Sequence, residues 1–403
     1  MARNEEPDTS RRDFFRTFGR ETVRQAGAVA GAAAELRRSS LAAARVLFDP
    51  EAATDLPTAP TADPVDLSAP AAGQTQPDWT FRSAYRFTGS EIVALDARQL
   101  PDRVETVALV QPSEVASAIR TGAINGGPVL AEVGAYAMAL AARAVVARPD
   151  TGRIQQMRAA ANTLRAAKPQ IHALTWAVDR LETRYLQLAG QSSDPVKSAE
   201  ALMSEADAIA TAALGVNGEI GRVGAAAIDL AAPEGSLNLL VHGDMGPLSC
   251  GMVGMATALI VELRDAGRDV QAWVTQAAPS DEGSRVAAFT LRQLDVSFTV
   301  IPDAAIAWLM DQRRVDALLL RGDRIATNGD CGVLIGGRAA AVVAATAGVP
   351  VYVLAPRSAY DPGAADGSAL RADAGFAPGA TRLTPSNDVV PAALISGVFT
   401  EPA

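Results

Sequence analysis

The chain has 403 residues, 49% of them hydrophobic and 20% charged, with a net charge of −9. This composition supports two or three folded domains and excludes disorder throughout. The acidic balance argues against nucleic acid as a partner, and no apolar run approaches the ~20 residues that a membrane span needs. The two cysteines and two widely separated histidines offer neither a disulfide framework nor a metal site. We therefore expect no metal and no cofactor.

Residues 1–48 predict an amphipathic helix, whose apolar stripe includes Phe14, Phe15 and Phe18. Arg11 and Arg12 precede these aromatics as in a twin-arginine export signal, but charged residues interrupt the apolar stretch that such a signal requires. We therefore expect a cytoplasmic protein, with export as the minor alternative. A tethered amphipathic helix is a common way to engage another protein, so this segment is a candidate docking element.

Residues 49–78 predict a linker, because six prolines are mixed with Ala, Thr and Asp without any apolar periodicity. Residues 79–215 then predict a small hairpin sub-domain followed by a helical domain. Alternating aromatic and aliphatic residues on either side of Gly89 favour the hairpin. The later spacing is helical, with Pro149, Pro169 and Pro195 between the helices.

Residues 216–403 predict an α/β domain of the Rossmann-like, doubly wound type with a parallel sheet. Apolar, β-branched runs alternate with helical patterns, and runs that are apolar throughout are typical of strands covered on both faces. The runs are 237–241, 270–274, 296–301, 317–320 and 351–354. Ligands bind such sheets outside the carboxyl ends of the strands. The loops that follow these runs are therefore the candidate site.

The loop after the first run, from His242 to Gly251, is rich in glycine. Its glycines would let backbone amides approach an anion, although the dinucleotide and ATP fingerprints are missing. A glycine-rich turn without a ligand is the alternative. Cys250 lies near the start of the next helix, where the helix dipole would favour its thiolate. The alternative for Cys250 is a small buried residue in an Ala-rich helix.

The loop after the fourth run begins near Asp323, which closely follows a strand expected to be buried on both sides. Partial desolvation there would favour a general acid, whereas Arg324 as an ion-pair partner would oppose that role. The alternative for Asp323 is a helix or turn cap, which is the role we expect for Asp330.

Six segments spread over residues 81–401 share one resemblance. They are Leu95-Asp-Ala-Arg-Gln-Leu-Pro101; Gly127-Pro128 with Ala135-Tyr136; Lys168-Pro169 with Trp176-Ala-Val-Asp-Arg180; Pro279 with Gly283 and Arg285; Asp323-Arg-Ile-Ala-Thr-Asn-Gly-Asp330; and Asp388-Val-Val-Pro391 through Ser396. Together they resemble the methylthioribose-1-phosphate isomerases, which share their fold with regulatory subunits of initiation factor 2B. The last segment is similar to the closing helix of that family.

The resemblance implies an aldose–ketose isomerase that moves protons between C1 and C2 of a sugar phosphate, and it implies a homodimer. In this chain Asp323 would be the acid, and Cys250 or Asp244 the base. Asp244 is attractive because two carboxylates near one site push their pKa values apart. The residues expected to hold the small-molecule ligand are Asn125, Gly126, Gly127, Lys168, Gly243, Gly246, Glu282, Arg285 and Asn328.

The chain departs from the family pattern where the phosphate would bind. Gly243-Asp244 replace Cys-Asn, Asn125 and Ala278 replace arginines, Glu282 replaces glutamine, and Val333-Leu334 replace Asn-Lys. These changes remove cations and put a carboxylate where a neutral donor would meet phosphate. They favour either a less anionic sugar derivative or a second function, a non-catalytic ligand-sensing or scaffold protein like the initiation-factor subunits.

Overall fold

The protein is described here from a computed structural model, over residues 83–191, 194–232, 234–371, 385 and 387–402. The predicted leading helix and linker, residues 1–78, lie outside the described residues. Within the described part, no helix combines the length and the apolar character needed to cross a membrane.

The first described elements form a three-stranded antiparallel sheet. Its strands are β1 (Tyr85–Phe87), β2 (Ile92–Leu95) and β3 (Thr106–Leu109), in the order β1-β2-β3. Gly89 in the first turn has φ +94°, a left-handed conformation that glycine adopts without strain. The structure therefore contains the predicted hairpin and adds a third strand to it.

Five helices follow and build the helical domain. They are α1 (Pro112–Arg120), α2 (Val129–Ala144), α3 (Asp150–Arg165), α4 (His172–Gly190) and α5 (Pro195–Ala231). Helix α2 lies at the centre, and its small side chains let α4 and α5 pack closely against it. Helix α5 begins with Pro195 after Asp194, whose carboxylate caps the Val196 amide at 2.7 Å. This helix continues through residues 215 and 216, where the sequence predicts a domain boundary.

The remaining elements form the α/β part of the chain. In order they are β4 (Leu237–Val241), α6 (Pro247–Cys250), α7 (Met255–Asp265), β5 (Val270–Thr275), α8 (Ala288–Gln293), β6 (Phe298–Ile301), α9 (Ile306–Asp311), β7 (Ala317–Arg321), β8 (Arg324–Ile325), β9 (Cys331–Leu334), α10 (Gly337–Ala347), β10 (Val351–Leu354), β11 (Asn387–Val390) and β12 (Gly397–Phe399). Six strands pair in parallel in the order β12-β10-β7-β4-β5-β6. The predicted parallel α/β architecture is confirmed.

Helices cover both faces of the inner strands of the six-stranded sheet, which explains why these strands are largely apolar. Side chains of β4 alternate between two cores: Leu239 packs with α5 and α7 on one face, and Leu240 packs with α9 and α10 on the other. The long helix α5 contacts both α2 and α7, so it joins the helical domain to the sheet.

The prediction of a closing helix at residues 388–396 is wrong. Strand β11 pairs antiparallel with β9, a short 3-10 turn follows, and β12 joins the edge of the parallel sheet. Two adjacent valines, Val389 and Val390, favour an extended backbone, and Pro391 lacks the amide that a helix would use. Asp388 instead accepts a hydrogen bond from the Gly336 amide at 2.9 Å, ahead of α10.

Candidate active site

Loops from both halves of the chain meet at the carboxyl end of the parallel sheet. The α/β part contributes Asp244 after β4, Glu282 after β5, and Arg321 and Asp323 at the end of β7. The helical domain contributes the 125–127 turn and Lys168, from the segments that precede α2 and α4. The structure thus brings most of the predicted ligand residues into one cluster.

Arg321 lies at the centre of this cluster, and its side chain is only 3% exposed. Its Nε donates to Asp323 Oδ1 at 2.7 Å, and its Nη1 lies 3.4 Å from Glu282 Oε1 and donates to the Asp244 carbonyl. Burial opposes the charge of Arg321, but the carboxylates of Asp323 and Glu282 outweigh it and raise the pKa of Arg321. The sequence pattern did not indicate Arg321, and it favoured Arg324 as the partner of Asp323. Arg324 pairs instead with Asp361.

Glu282 connects the sheet to the helical domain. Its Oε2 accepts from Asn125 Nδ2 at 2.7 Å, and its Oε1 accepts from the Asp244 amide at 3.3 Å. Burial raises the pKa of this carboxyl, but Arg321 and Lys168 outweigh burial, and the pKa lies below its ordinary value. The Lys168 ammonium donates to Asn125 Oδ1 and the Gly126 carbonyl, both at 3.3 Å, and burial lowers its pKa.

The buried carboxyl group of Asp244 has different contacts from that of Asp323. Its Oδ1 accepts from the Gly246 amide at 3.0 Å, while its Oδ2 is buried with no hydrogen-bond partner among the described residues. Burial and then the negative charge of Glu282 raise the pKa of Asp244 to about 6. The carboxyl therefore changes its charge close to neutral pH.

Glycines hold the loops so closely that the carboxyl groups of the cluster are shielded from solvent. A Cβ on Gly126 would lie 2.5 Å from the Ser249 backbone, and one on Gly243 would lie 2.8 Å from Glu282 Oε1. Both residues have positive φ, +132° and +82°, so any other residue would also be strained there. Asp323 and Asp244 are accordingly only 5% and 1% exposed.

Gly127 provides a direct test of this packing. A Cβ at this position would lie 2.6 Å from Asp323 Oδ1 and 2.9 Å from Arg321 Nε. We expect Gly127→Ala to lower the free energy of unfolding by about 1–3 kcal/mol, because the added methyl displaces a buried ion pair. Urea denaturation measures this. Gly215→Ala is the matched control, since its Cβ meets nothing within 4 Å in helix α5, and it should be neutral or stabilising. An equal effect of both variants would contradict the prediction.

Three predicted site residues have other contacts. The Cys250 thiol is buried beside Ser249 Oγ at 3.6 Å, and burial raises its pKa to about 12, so it stays protonated at neutral pH. The Arg285 guanidinium donates to the carbonyls of Ala97, Arg98, Leu100 and Ser280, outside the cluster. Asn328 lies in an exposed turn and bonds to Asp330. Asp330 also accepts from the first amides of two 3-10 turns, Gly367 and Ala392, which is a capping role.

His242 and Thr275 position the glycine-rich loop. His242 Nε2 lies 2.9 Å from the Ile335 carbonyl, which only accepts, so this nitrogen carries the hydrogen. His242 Nδ1 then accepts from the Thr275 hydroxyl at 2.9 Å. Burial lowers the pKa of His242, which favours the neutral ring. The sequence signal was a histidine at the end of a buried strand, but its partners come from distant loops.

Among the described residues, no group of three or more His, Cys, Asp or Glu side chains is placed to hold a metal ion. A surface cavity of about 560 Å³ lies between α4 and the loop after β10, lined by Trp176, Arg180, Tyr360 and other residues but by none of the predicted site residues.

Comparison with known proteins gives consistent results. The model of the initiation factor 2 subunit family matches residues 123–402. Methylthioribose-1-phosphate isomerase of Herpetosiphon aurantiacus is 30% identical over 76% of this chain and 88% of its own length, and that of Roseiflexus castenholzii is 32% identical over 80% and 93%.

Two solved structures show the same fold. One is the 5-methylthioribose 1-phosphate isomerase from Pyrococcus horikoshii, with a TM-score of 0.66 and 24% identity, covering 79% of this chain and 90% of that one. The other is the delta subunit of translation initiation factor eIF-2B from A. fulgidus, with a TM-score of 0.62 and 22% identity, covering 79% and 94%.

Proposed function

Since the chain belongs to the initiation factor 2 subunit family, we propose that it is an aldose–ketose isomerase that transfers protons between C1 and C2 of a sugar derivative. The relatives named methylthioribose-1-phosphate isomerase support the reaction class. Fold alone does not fix function, so the proposal depends on the site. One observation carries it: two buried carboxyl groups at the ends of neighbouring strands, Asp244 and Asp323, have different environments.

These environments support a division between base and acid. In the ring-opened aldehyde form of the sugar, Asp323, which lies in an ion pair with Arg321, accepts the proton of C2. Asp244, with a pKa of about 6 and one oxygen without a partner among the described residues, gives its proton to O1. The product of this step is an enediol. Asp323 then returns its proton to C1 while Asp244 takes the proton of O2, which leaves the ketose. The resemblance implies the acid role for Asp323, whereas its ion pair with Arg321 favours the role of base.

Both carboxyl groups are buried, so the loops around them must move before a sugar can enter. Asn125, Gly127 and Lys168 come from the helical domain, whereas their partners come from strand ends of the sheet. Separation of these two sets of loops would expose both carboxyls, and closure around the ligand would exclude water from the enediol.

A second candidate function is a non-catalytic ligand sensor or scaffold. The observation that favours it is the packing of the cluster, in which Arg321 already satisfies the Asp323 and Glu282 carboxylates without a ligand. Glycine at position 243, where the isomerases that the sequence resembles have cysteine, agrees with this alternative.

The test is an isomerase assay on aldoses and aldose 1-phosphates, with ketose formation followed by NMR. We expect wild-type turnover, and a loss of about 10²–10⁴-fold in Asp323→Asn, which is the usual contribution of one acid–base group. Asp311→Asn is the matched control, because Asp311 is an exposed aspartate on α9, and it should retain full activity. Unchanged turnover in Asp323→Asn would refute the mechanism. Ligand-dependent stabilisation without turnover would support the sensor.

A further inference from the structure

We infer that the cluster around Arg321 selects a neutral, unphosphorylated sugar, and that the chain's own carboxylates fill the place of a phosphate group. This inference rests on the proposed function, because it names the substrate class for the same site. It differs from the sugar phosphate that the sequence resemblance implies.

The first support is the balance of charge. The cations of the cluster are Lys168 and Arg321, and the carboxylates of Glu282 and Asp323 interact with both of them. Two positive charges thus face two negative ones before any ligand enters. Asp244 adds further negative charge when it ionises. A phosphate dianion would therefore meet an excess of negative charge in a site with little water to screen it.

The second support is the set of backbone amides in the glycine-rich loop. Such amides hold phosphate in many α/β proteins when they point into an open cradle. Here the Gly243 amide donates to Thr275 Oγ1 at 3.4 Å, the Asp244 amide to Glu282 Oε1 at 3.3 Å, and the Gly246 amide to Asp244 Oδ1 at 3.0 Å. Side-chain oxygens of the chain itself accept hydrogen bonds from all three amides. A phosphate would have to displace these bonds as well as overcome the repulsion.

The third support is what the cluster offers to a neutral ligand. Asp244 Oδ2 is buried and unpartnered within the described residues, and a sugar hydroxyl would give it the hydrogen bond it lacks. A hydroxyl both donates and accepts, so it can pair with this oxygen whether the Asp244 carboxyl is protonated or ionised. A polyhydroxylated ligand therefore completes the cluster without adding charge.

Isothermal titration calorimetry on the full chain tests the inference with ribose and glucose, each compared with its own 1-phosphate, and with inorganic phosphate. We expect at least one of the two sugars to bind at least tenfold more tightly than its 1-phosphate, and inorganic phosphate not to bind. In Glu282→Gln, Lys168 and Arg321 face one carboxylate fewer, so affinity for the 1-phosphates should rise at least tenfold. Glu205→Gln is the matched control, since Glu205 pairs with Arg180 outside the cluster, and it should leave all affinities unchanged.

The possible outcomes separate this inference from the proposed function. Binding of a neutral sugar without turnover would refute the proposed isomerase activity and support the inferred substrate class. Turnover of a 1-phosphate would support the isomerase activity and refute the inference that the substrate is neutral. Equal or tighter binding of the 1-phosphates, or binding of none of the probes, overturns the inference as well. The wild-type comparison decides even if Glu282→Gln fails to fold.

Discussion

Replacing Arg321 by methionine will lower the free energy of unfolding by about 3–5 kcal/mol, the usual cost of leaving buried charges without their partner. The side chain of Arg321 is 3% exposed, and it is bonded to Asp323 and close to Glu282. Methionine has a similar length and no charge, so the loss comes from the uncompensated carboxylates more than from packing. Among the described residues, Lys168 would remain as the cation of the cluster.

The loss should depend on pH in a defined direction. In the wild-type protein Arg321 helps to hold the pKa of Glu282 below its ordinary value of 4.5. A carboxyl with a lowered pKa stabilises the fold above the unfolded pKa, and this stabilisation disappears as the pH falls through the folded pKa. Without Arg321, the pKa of Glu282 is higher than in the wild type, because the cation that lowers it most is gone. The difference between variant and wild type should therefore grow as the pH rises through the folded pKa of wild-type Glu282, which lies below 4.5, and become constant above the pKa of the variant.

Two further variants make this prediction specific. Arg324→Met removes an arginine that also pairs with an aspartate, Asp361, but the Arg324 side chain is 26% exposed. It should cost about 1 kcal/mol or less, as expected for ion pairs that water can reach. Adding Glu282→Gln to Arg321→Met should recover part of the loss, because one unpaired charge is removed. Urea denaturation at several pH values measures all three. Equal losses in the two arginine variants would show that burial of the charges is not the cause.

The fold could be predicted from the sequence where burial leaves a regular pattern. Five of the parallel strands coincide with largely apolar runs, because helices cover both faces of the inner strands of the sheet. Strand β12 was not predicted, because its three residues, Gly397–Phe399, are too few to form a recognisable apolar run. The length of α5 was also missed, since its glycines indicate a break. Tertiary packing overrides that signal: a Cβ on Gly221 would lie 2.5 Å from Ala258 Cβ, so glycine allows α5 to approach α7.

The members of the site could be predicted better than their contacts. Strand-end position and the family resemblance found Asp323, Asp244 and Glu282. Neither pointed to Arg321, because the predicted run ends at residue 320 and leaves Arg321 in the loop that follows, whereas the strand extends to Arg321. The charge of Arg321 is tolerated because loops distant in sequence bring carboxylates to it. Arg285 shows the converse, since the resemblance places it at the site but cannot tell that its guanidinium binds carbonyls outside the cluster.

Glu132, in the first turn of α2, makes the stability of the fold depend on pH. The side chain is 2% exposed, its Oε2 accepts from Tyr85 Oη at 2.8 Å, and its Oε1 has no partner among the described residues. That oxygen lies against Gly251, where a Cβ would be only 2.0 Å from it. Burial raises the pKa of Glu132 from 4.5 to about 8, so the carboxyl is protonated in the folded protein at neutral pH.

We expect Glu132→Gln to remove this dependence on pH. Between pH 4.5 and 8 the unfolded chain has lost the proton that the folded protein keeps, so wild-type stability falls as the pH rises and then levels off above about pH 8. The penalty reaches on the order of 5 kcal/mol at the upper end. Glutamine is uncharged at every pH. The stability of the variant relative to wild type should therefore increase from pH 4.5 to pH 8 and stay constant above pH 8.

Urea denaturation from pH 4.5 to pH 9 measures this gain as a difference between two curves, so contributions from other titrating groups cancel. Burial of the glutamine amide adds an offset that does not vary with pH, and the slope of the difference is the relevant quantity. Glu200→Gln, at an exposed position on α5, should give a flat difference. A flat difference for Glu132→Gln as well would mean that Glu132 is ionised in the folded protein. Tyr85 and the Gly251 loop would then have to stabilise a buried carboxylate whose Oε1 has no hydrogen-bond partner among the described residues.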